Sequence, residues 1–281
     1  MKRSKYTLSL LTGFLLIIAC AAAGQAQNQR TYVAGPGIGN DGNAASPNFC
    51  GFATPCRNFA AAYGVTNVGG EIVAKDSVGY GGVNISHAVT ITTAPGQTAF
   101  VAVCASCTGI AVSAGSTELV VLQNININGA GNASSTGLQH SSGRLIVNNC
   151  VFENLTTGIN VTNAKMDLIN SNLHNNGTAV NVTGTGTESS PPFTVAAVAQ
   201  VRINGGNITF NTLGLQQNSP GFNANANNLF SIFVYTFANT GNVNLAGNTT
   251  AFACTGPNSG SPSFNPCQAQ PASYNLTTQI K

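Results

Sequence analysis

Four stretches of the chain share one pattern of apolar and polar positions. "VVLQNININ" from Val120, "LIVNNCVFEN" from Leu145, "MDLINSNLHN" from Met166 and "VRINGGNITF" from Val201 each carry apolar residues at the first, third and eighth places. These residues are Val120, Leu122 and Ile127; Leu145, Val147 and Phe152; Met166, Leu168 and Leu173; and Val201, Ile203 and Ile208. Alternation with a period of two marks a strand with one face turned inward. A second short strand follows the middle two stretches, "GINV" at Gly158 and "AVNV" at Ala179, with "GLQQ" at Gly214 as a weaker equivalent. The pieces are too short, and too rich in Asn, Gly and β-branched residues, for helices. "RLIVNNCVFENLTTGINV" from Arg144 returns as "KMDLINSNLHNNGTAVNV" twenty-one residues later, from Lys165. A recurrence at that period predicts an all-β solenoid, a parallel β-helix whose turns bury their apolar sides against one another.

The polar positions fit the same picture. Asn124, Asn149 and Asn170 fall in one column of the alignment, at a corner after the first strand. Asn tolerates left-handed backbone angles, and its amides can hydrogen-bond along a stack. In the fourth stretch Gly205 takes the place, and glycine also suits a left-handed corner. The solenoid's ends need covers. "TPCRNFAAAY" predicts a short N-terminal capping helix, with Thr54 as N-cap, Pro55 at the first helical position and Phe59, Ala60 and Tyr63 as an apolar face. "CTGPNSGSPSFNPC", from Cys254 to Cys267, reads as an irregular loop tied by a disulfide, and "TGTGTESSPPF" from Thr183 and "NSPGFNANANN" from Asn218 read as loops leaving the coils. The expected organisation is a signal peptide over 1–26, an N-terminal segment with the helix over 27–70, coils over 71–250 and a C-terminal loop and tail over 251–281.

Composition changes the picture in two ways. Charged residues make up only 6% of the chain, so its polarity comes from amides and hydroxyls. Lys2, Arg3 and Lys5, the apolar run Leu8–Ala23 and "GQA" ending at Ala26 form a secretory signal. "IIAC" ending at Cys20 offers a different processing, in which a lipidated Cys20 would be the only tie to a membrane. No run after Ala23 reaches the eighteen apolar residues of a spanning helix. Once Lys2, Arg3 and Lys5 are removed, seven basic residues face seven acidic ones. A neutral chain has no footprint for nucleic acid and no polybasic patch for lipid headgroups. Seven cysteines follow Cys20, and proximity suggests the pairs Cys50 with Cys56, Cys104 with Cys107 and Cys254 with Cys267 in an oxidising compartment. The rival reading, a zinc site, lacks a standard pair of knuckles. Cys150 is left over, at a repeat position held elsewhere by Ile125, and reads as a buried thiol.

"PCRNFAAA", "GGEIVAKDSVGYGGVNI" followed by "AVTI", and the N-x-x-apolar coils carry a resemblance. Over roughly Thr31 to Cys267 the chain resembles the right-handed parallel β-helix proteins of the pectin lyase-like superfamily, and among them secreted bacterial β-helix repeat proteins. The resemblance implies a right-handed, single-stranded coil and a polysaccharide as the associated chemistry. Hydrolases of that superfamily carry Asn-x-Asp, Asp-Asp, Gly-His-Gly and Arg-x-Lys on successive coils, because glycoside hydrolysis needs paired carboxylates. This chain has no Asp-Asp, its histidines sit in "SHA", "QHS" and "LHN", and Asn204 stands where the lysine after Arg202 is expected. Calcium-dependent lyases need several carboxylates around one ion, and Asp41, Asp76 and Asp167 are far apart in sequence. No catalytic site, cofactor or metal centre is therefore expected. "GIGNDG", from Gly37, lacks the following helix of a dinucleotide site.

One group of charges stands out. The alignment puts Arg144, Lys165 and Gln200 in one column and Ile146, Asp167 and Arg202 in another, two residues on. Arg144, Lys165, Asp167 and Arg202 form either a patch that grips an anionic sugar, with Arg as a bidentate reader of carboxylates, or a surface salt bridge worth at most about 1 kcal/mol. Glu153 and His174 also align, one coil apart, as a carboxylate–imidazole pair without a third partner. The expectation is a non-catalytic exported protein that binds polysaccharide or cell-envelope glycan, or acts in adhesion. The alternatives are a lyase or hydrolase with an unfamiliar site, and a purely structural envelope protein.

Overall fold

The computed structural model describes residues 28–183 and 200–218, with the backbone strand segments 231–234, 250–255 and 270–271. Strand alternation dominates. In chain order the elements are β1 (Asn28–Val33), helix α1 (Phe59–Tyr63), β2 (Thr66–Ala74), β3 (Val83–Ile85), β4 (Val89–Thr93), β5 (Ala99–Ala102), β6 (Thr108–Ser113), β7 (Leu119–Gln123), β8 (Ile125–Asn128) and β9 (Thr136–Ser142). They continue as β10 (Arg144–Asn148), β11 (Val151–Glu153), β12 (Thr157–Thr162), β13 (Lys165–His174), β14 (Thr178–Thr183), β15 (Gln200–Thr209), β16 (Leu213–Asn218), β17 (Ser231–Val234), β18 (Thr250–Thr255) and β19 (Gln270–Pro271). A 3-10 turn covers Asp41–Ala44.

Pairing is parallel throughout the described strands except between β18 and β19. Each turn of chain lays down three faces. The first runs β2, β4, β7, β10, the start of β13, the start of β15 and β17. The second runs β5, β8, β11 and the ends of β13 and β15. The third runs β3, β6, β9, β12, β14, β16 and β18. This is an all-β architecture of parallel strands, consistent with a parallel β-helix. β1 pairs with β2, so strand pairing already begins at Asn28, ahead of the repeating stretches.

The core follows from the register. Val120, Leu145, Met166 and Val201 stack in one inward column of the first face, and Ile127, Phe152, Leu173 and Ile208 in the second. All are buried. The corner Asn124, Asn149 and Asn170 have φ of 58°, 51° and 47°, and Gly205 has 72°, as the alignment predicts. Asn149 donates its amide N–H to Asn124 Oδ1 at 2.7 Å, one rung of the expected ladder. On the third face Gly109, Gly137 and Gly158 stack because there is no room for a side chain: a Cβ would meet the next coil's carbonyl oxygen at 2.8, 2.6 and 2.6 Å.

The helix differs from the expectation. It begins at Phe59 after Asn58, not at Thr54 and Pro55. Cys56 is held extended beside β1: its N–H donates to Tyr32 O at 2.9 Å and its carbonyl accepts from Ala34 N at 2.9 Å. It is also bonded to Cys50, so the chain cannot turn helical before it leaves that contact. Of the expected apolar face only Phe59 is fully buried, packing 5.1 Å from the Tyr80 ring; Ala60 is exposed, Tyr63 half-buried, and the later start turns Ala62 inward instead. Disulfides join Cys50 to Cys56 and Cys104 to Cys107, which rules out zinc for these four and fits an oxidising compartment. The expected signal segment with Cys20, the side chain of Cys254 and the whole of Cys267 lie outside the described residues, as do the loops 184–199 and 219–230. Among the described residues no helix is long and apolar enough to cross a membrane.

Candidate functional site

The four charges come together on the outer side of the first face. The register pairs Arg144 with Lys165 and Lys165 with Gln200, and Ile146 with Asp167 and Asp167 with Arg202, as the alignment predicts. Leu119 precedes Arg144 in the first column. Successive strands lie about 4.8 Å apart, so β10 and β13 carry Arg144 and Lys165 side by side. Alternation turns Leu145 and Met166 inward between them, where both are buried.

Arg202 and Asp167 form a forked pair. Arg202 Nε donates to Asp167 Oδ1 and Nη2 to Oδ2. The Arg202 side chain is 49% exposed and that of Asp167 24%, so solvent screens the pair and its worth is at most about 1 kcal/mol. Arg144 and Lys165 are both exposed, and among the described residues neither forms a salt bridge. The four side chains line a shallow groove of about 250 Å³, whose remaining lining is Leu119, Leu145, Ile146 and Met166. Three cations thus face one carboxylate, with exposed Leu119 and half-buried Ile146 as the apolar surface beside them, since Leu145 and Met166 are buried. That arrangement suits a ring with one greasy side and an anionic substituent. The fork of Arg202 faces Asp167, so among the described residues Arg144 and Lys165 are the groove's cations without a salt bridge.

His140 supports this site from within. Alternation along β9 puts it in the inward column with Val112 and Val161, fully buried. Its Nε2–H donates to the carbonyl oxygen of Lys165 at 3.1 Å, fixing the first residue of β13. Burial holds its pKa below the usual histidine range and keeps the ring neutral. The signal for this role is the alternation of "GLQHSS", which places a histidine where the neighbouring coils have valine.

Glu153 and His174 occupy the second face. Glu153 Oε2 lies 3.6 Å from His174 Nε2, and Oε1 accepts from Asn126 Nδ2 at 3.0 Å and Asn128 Nδ2 at 3.1 Å. Glu153 thus has amide partners as well as its imidazole neighbour. Asp41 in "GIGNDG" is committed to structure: its carboxylate accepts from the backbone N–H groups of Arg57 and Asn58, both at 2.8 Å. Cys150 is buried, as expected, and burial pushes its thiol pKa up to about 12. Among the described residues no three His, Cys, Asp or Glu side chains are grouped so as to hold a metal ion. No protein-family model matches the chain, no curated protein matches it, and no solved structure matches it. The resemblance to the pectin lyase-like superfamily therefore rests on the residues quoted above and on the parallel pairing.

Proposed function

We propose that the chain is a right-handed parallel β-helix of the pectin lyase-like kind. In this reading it is exported by its N-terminal segment, α1 covers the first coil, and the first face holds an anionic glycan without cleaving it. The observation that carries the reading is the groove in which Arg144 and Lys165 stand exposed beside Leu119 and Ile146. A uronic sugar laid in it would rest its C–H face on Leu119 and Ile146 and direct its carboxylate to the two cations. Arg144 supplies a planar fork and Lys165 a mobile ammonium. Asp167 would oppose a polyanion by its charge, and its pairing with Arg202 limits that opposition. Adhesion to a cell-envelope glycan would use the same groove.

The test is retention on immobilised polymers. The protein is expected to bind polygalacturonate and alginate, to be released by salt, and to lose retention in the variant Arg144→Ser/Lys165→Ser. Equal retention of the variant would overturn the assignment. A lyase or hydrolase is the second reading, favoured by the Glu153–His174 pair. It predicts new reducing ends or unsaturated products above a heat-killed control, reduced by Glu153→Gln. If Arg202 or Asp167 takes part in turnover, substitutions there reduce it as well.

A further inference from the structure

The second face carries features that the first-face groove does not use. Phe100 on β5 points outward and is 39% exposed. It begins a column that continues through Asn126, Val151, Asn172 and Asn207. Beside it runs the column Ala102, Asn128, Glu153, His174 and Thr209. At the adjoining corner Asn154, Asn175 and Phe210 follow one another on successive coils, with φ of 56° at each. Asn accepts that conformation, whereas a bulky side chain there is an outlier. Phe210 nevertheless occupies it with 67% of its surface exposed. Strain of this kind at an exposed residue points towards function.

We infer that this strip is a second glycan site, built for a neutral oligosaccharide lying along the stack of coils, with Phe100 and Phe210 as platforms at its two ends. Four strand spacings separate them along the stack, about 19 Å, with Phe210 set three residues to one side of the Phe100 column, a separation suited to an oligosaccharide and not to a single sugar. At the Phe100 end a hollow of about 540 Å³ is lined by Phe100, Ala102, Asn128, Ala130, Gly131 and Asn154. Small residues there leave the ring accessible to the C–H face of a pyranose. Between the platforms lie hydrogen-bonding groups already set in place. Asn128 Nδ2 and Asn126 Nδ2 hold Glu153, Asn154 Nδ2 reaches Asn128 Oδ1 at 3.4 Å, and Asn207 Nδ2 donates to Asn172 Oδ1 at 2.8 Å. Asn128, Asn154, Asn172 and Asn207 can offer their other N–H groups and lone pairs to sugar hydroxyls, whereas Asn126 Oδ1 is buried. Charge selects the ligand class. The strip contains the carboxylate of Glu153 and neither Lys nor Arg, so it repels a uronate chain and accepts a neutral one.

The experiment is calorimetric titration of the folded protein with cellohexaose, xylohexaose, mannohexaose and hexagalacturonate. At least one neutral hexasaccharide is expected to bind saturably, with affinity falling about tenfold or more in Phe100→Ala and in Phe210→Asn. Phe210→Asn installs the residue type of that corner, so its thermal stability should equal or exceed that of the starting protein while binding falls. Neutral binding should survive Arg144→Ser/Lys165→Ser, and hexagalacturonate binding should survive Phe210→Asn, which separates the two sites. No saturable binding of any neutral hexasaccharide at millimolar concentration would overturn the inference. So would full binding by both phenylalanine variants.

Discussion

Replacing Asn176 by alanine should remove a disproportionate share of stability, because its amide serves several buried partners between coils. The residue is 2% exposed and follows the corner Asn175. Asn176 Oδ1 accepts the N–H of Leu155 at 3.1 Å, and Nδ2 donates to Phe152 O and to Asn211 Oδ1, both at 3.0 Å. The one side chain therefore ties β11, β13 and β15 at a position where coils without it would leave amides dry. Alanine deprives the Leu155 N–H of its acceptor, at a cost of about 2 kcal/mol for one buried unsatisfied donor, and removes two further bonds worth about 0.5–1 kcal/mol each. The expected loss is about 3 kcal/mol. For a chain of this size that lowers the melting temperature by about 6 °C. Urea unfolding followed by far-ultraviolet circular dichroism measures it, with the midpoint moving and the slope unchanged. Asn149→Ala is the control. Asn149 is exposed, so its cost is mainly that of a left-handed alanine, about 1–2 kcal/mol. If Asn176→Ala costs no more than Asn149→Ala, the reasoning about buried amides between coils is refuted.

Other consequences follow from the described groups. His140 is buried with a lowered pKa, so folding is opposed by protonation: stability is full above the unfolded value of about 6.5 and declines as pH falls below it. His140→Val, matching its column neighbours Val112 and Val161, should flatten that decline in thermal melts at successive pH values; an unchanged decline would place the acid sensitivity elsewhere. Asp167→Ala should cost at most about 1 kcal/mol and strengthen retention on polygalacturonate severalfold by removing the groove's carboxylate. If Asp167 instead serves catalysis, the same change abolishes turnover. Cys150 should stay unmodified by iodoacetamide in the native protein and react on unfolding, as read by peptide mass spectrometry.

Much of the fold was legible because alternation and recurrence are local signals. The columns through Val120, Leu145, Met166 and Val201, and the left-handed corner at Asn124, Asn149, Asn170 and Gly205, can be aligned by eye and match the register. The start of α1 was not legible, because Cys56 is held by β1, a partner more than twenty residues away in sequence. The same alignment brought Arg144, Lys165, Asp167 and Arg202 together. It could not show that the fork of Arg202 closes on Asp167, since side-chain conformation is not a property of register. Nor did alignment of the four stretches reveal the strip from Phe100 to Phe210. Phe100 lies on β5, ahead of all four stretches, and Phe210 matters through its exposure at a left-handed corner.

The most direct test of the central claim is calorimetric titration of the chain from Gln27 with hexagalacturonate, alongside Arg144→Ser/Lys165→Ser, at low and high salt, with the recovered oligomer sized afterwards. The account predicts binding that weakens with salt, a loss of at least about tenfold in the double variant, and an oligomer of unchanged length. Equal affinity in both proteins would contradict the assignment of the groove, and a shortened oligomer would contradict the claim that it binds without cleaving.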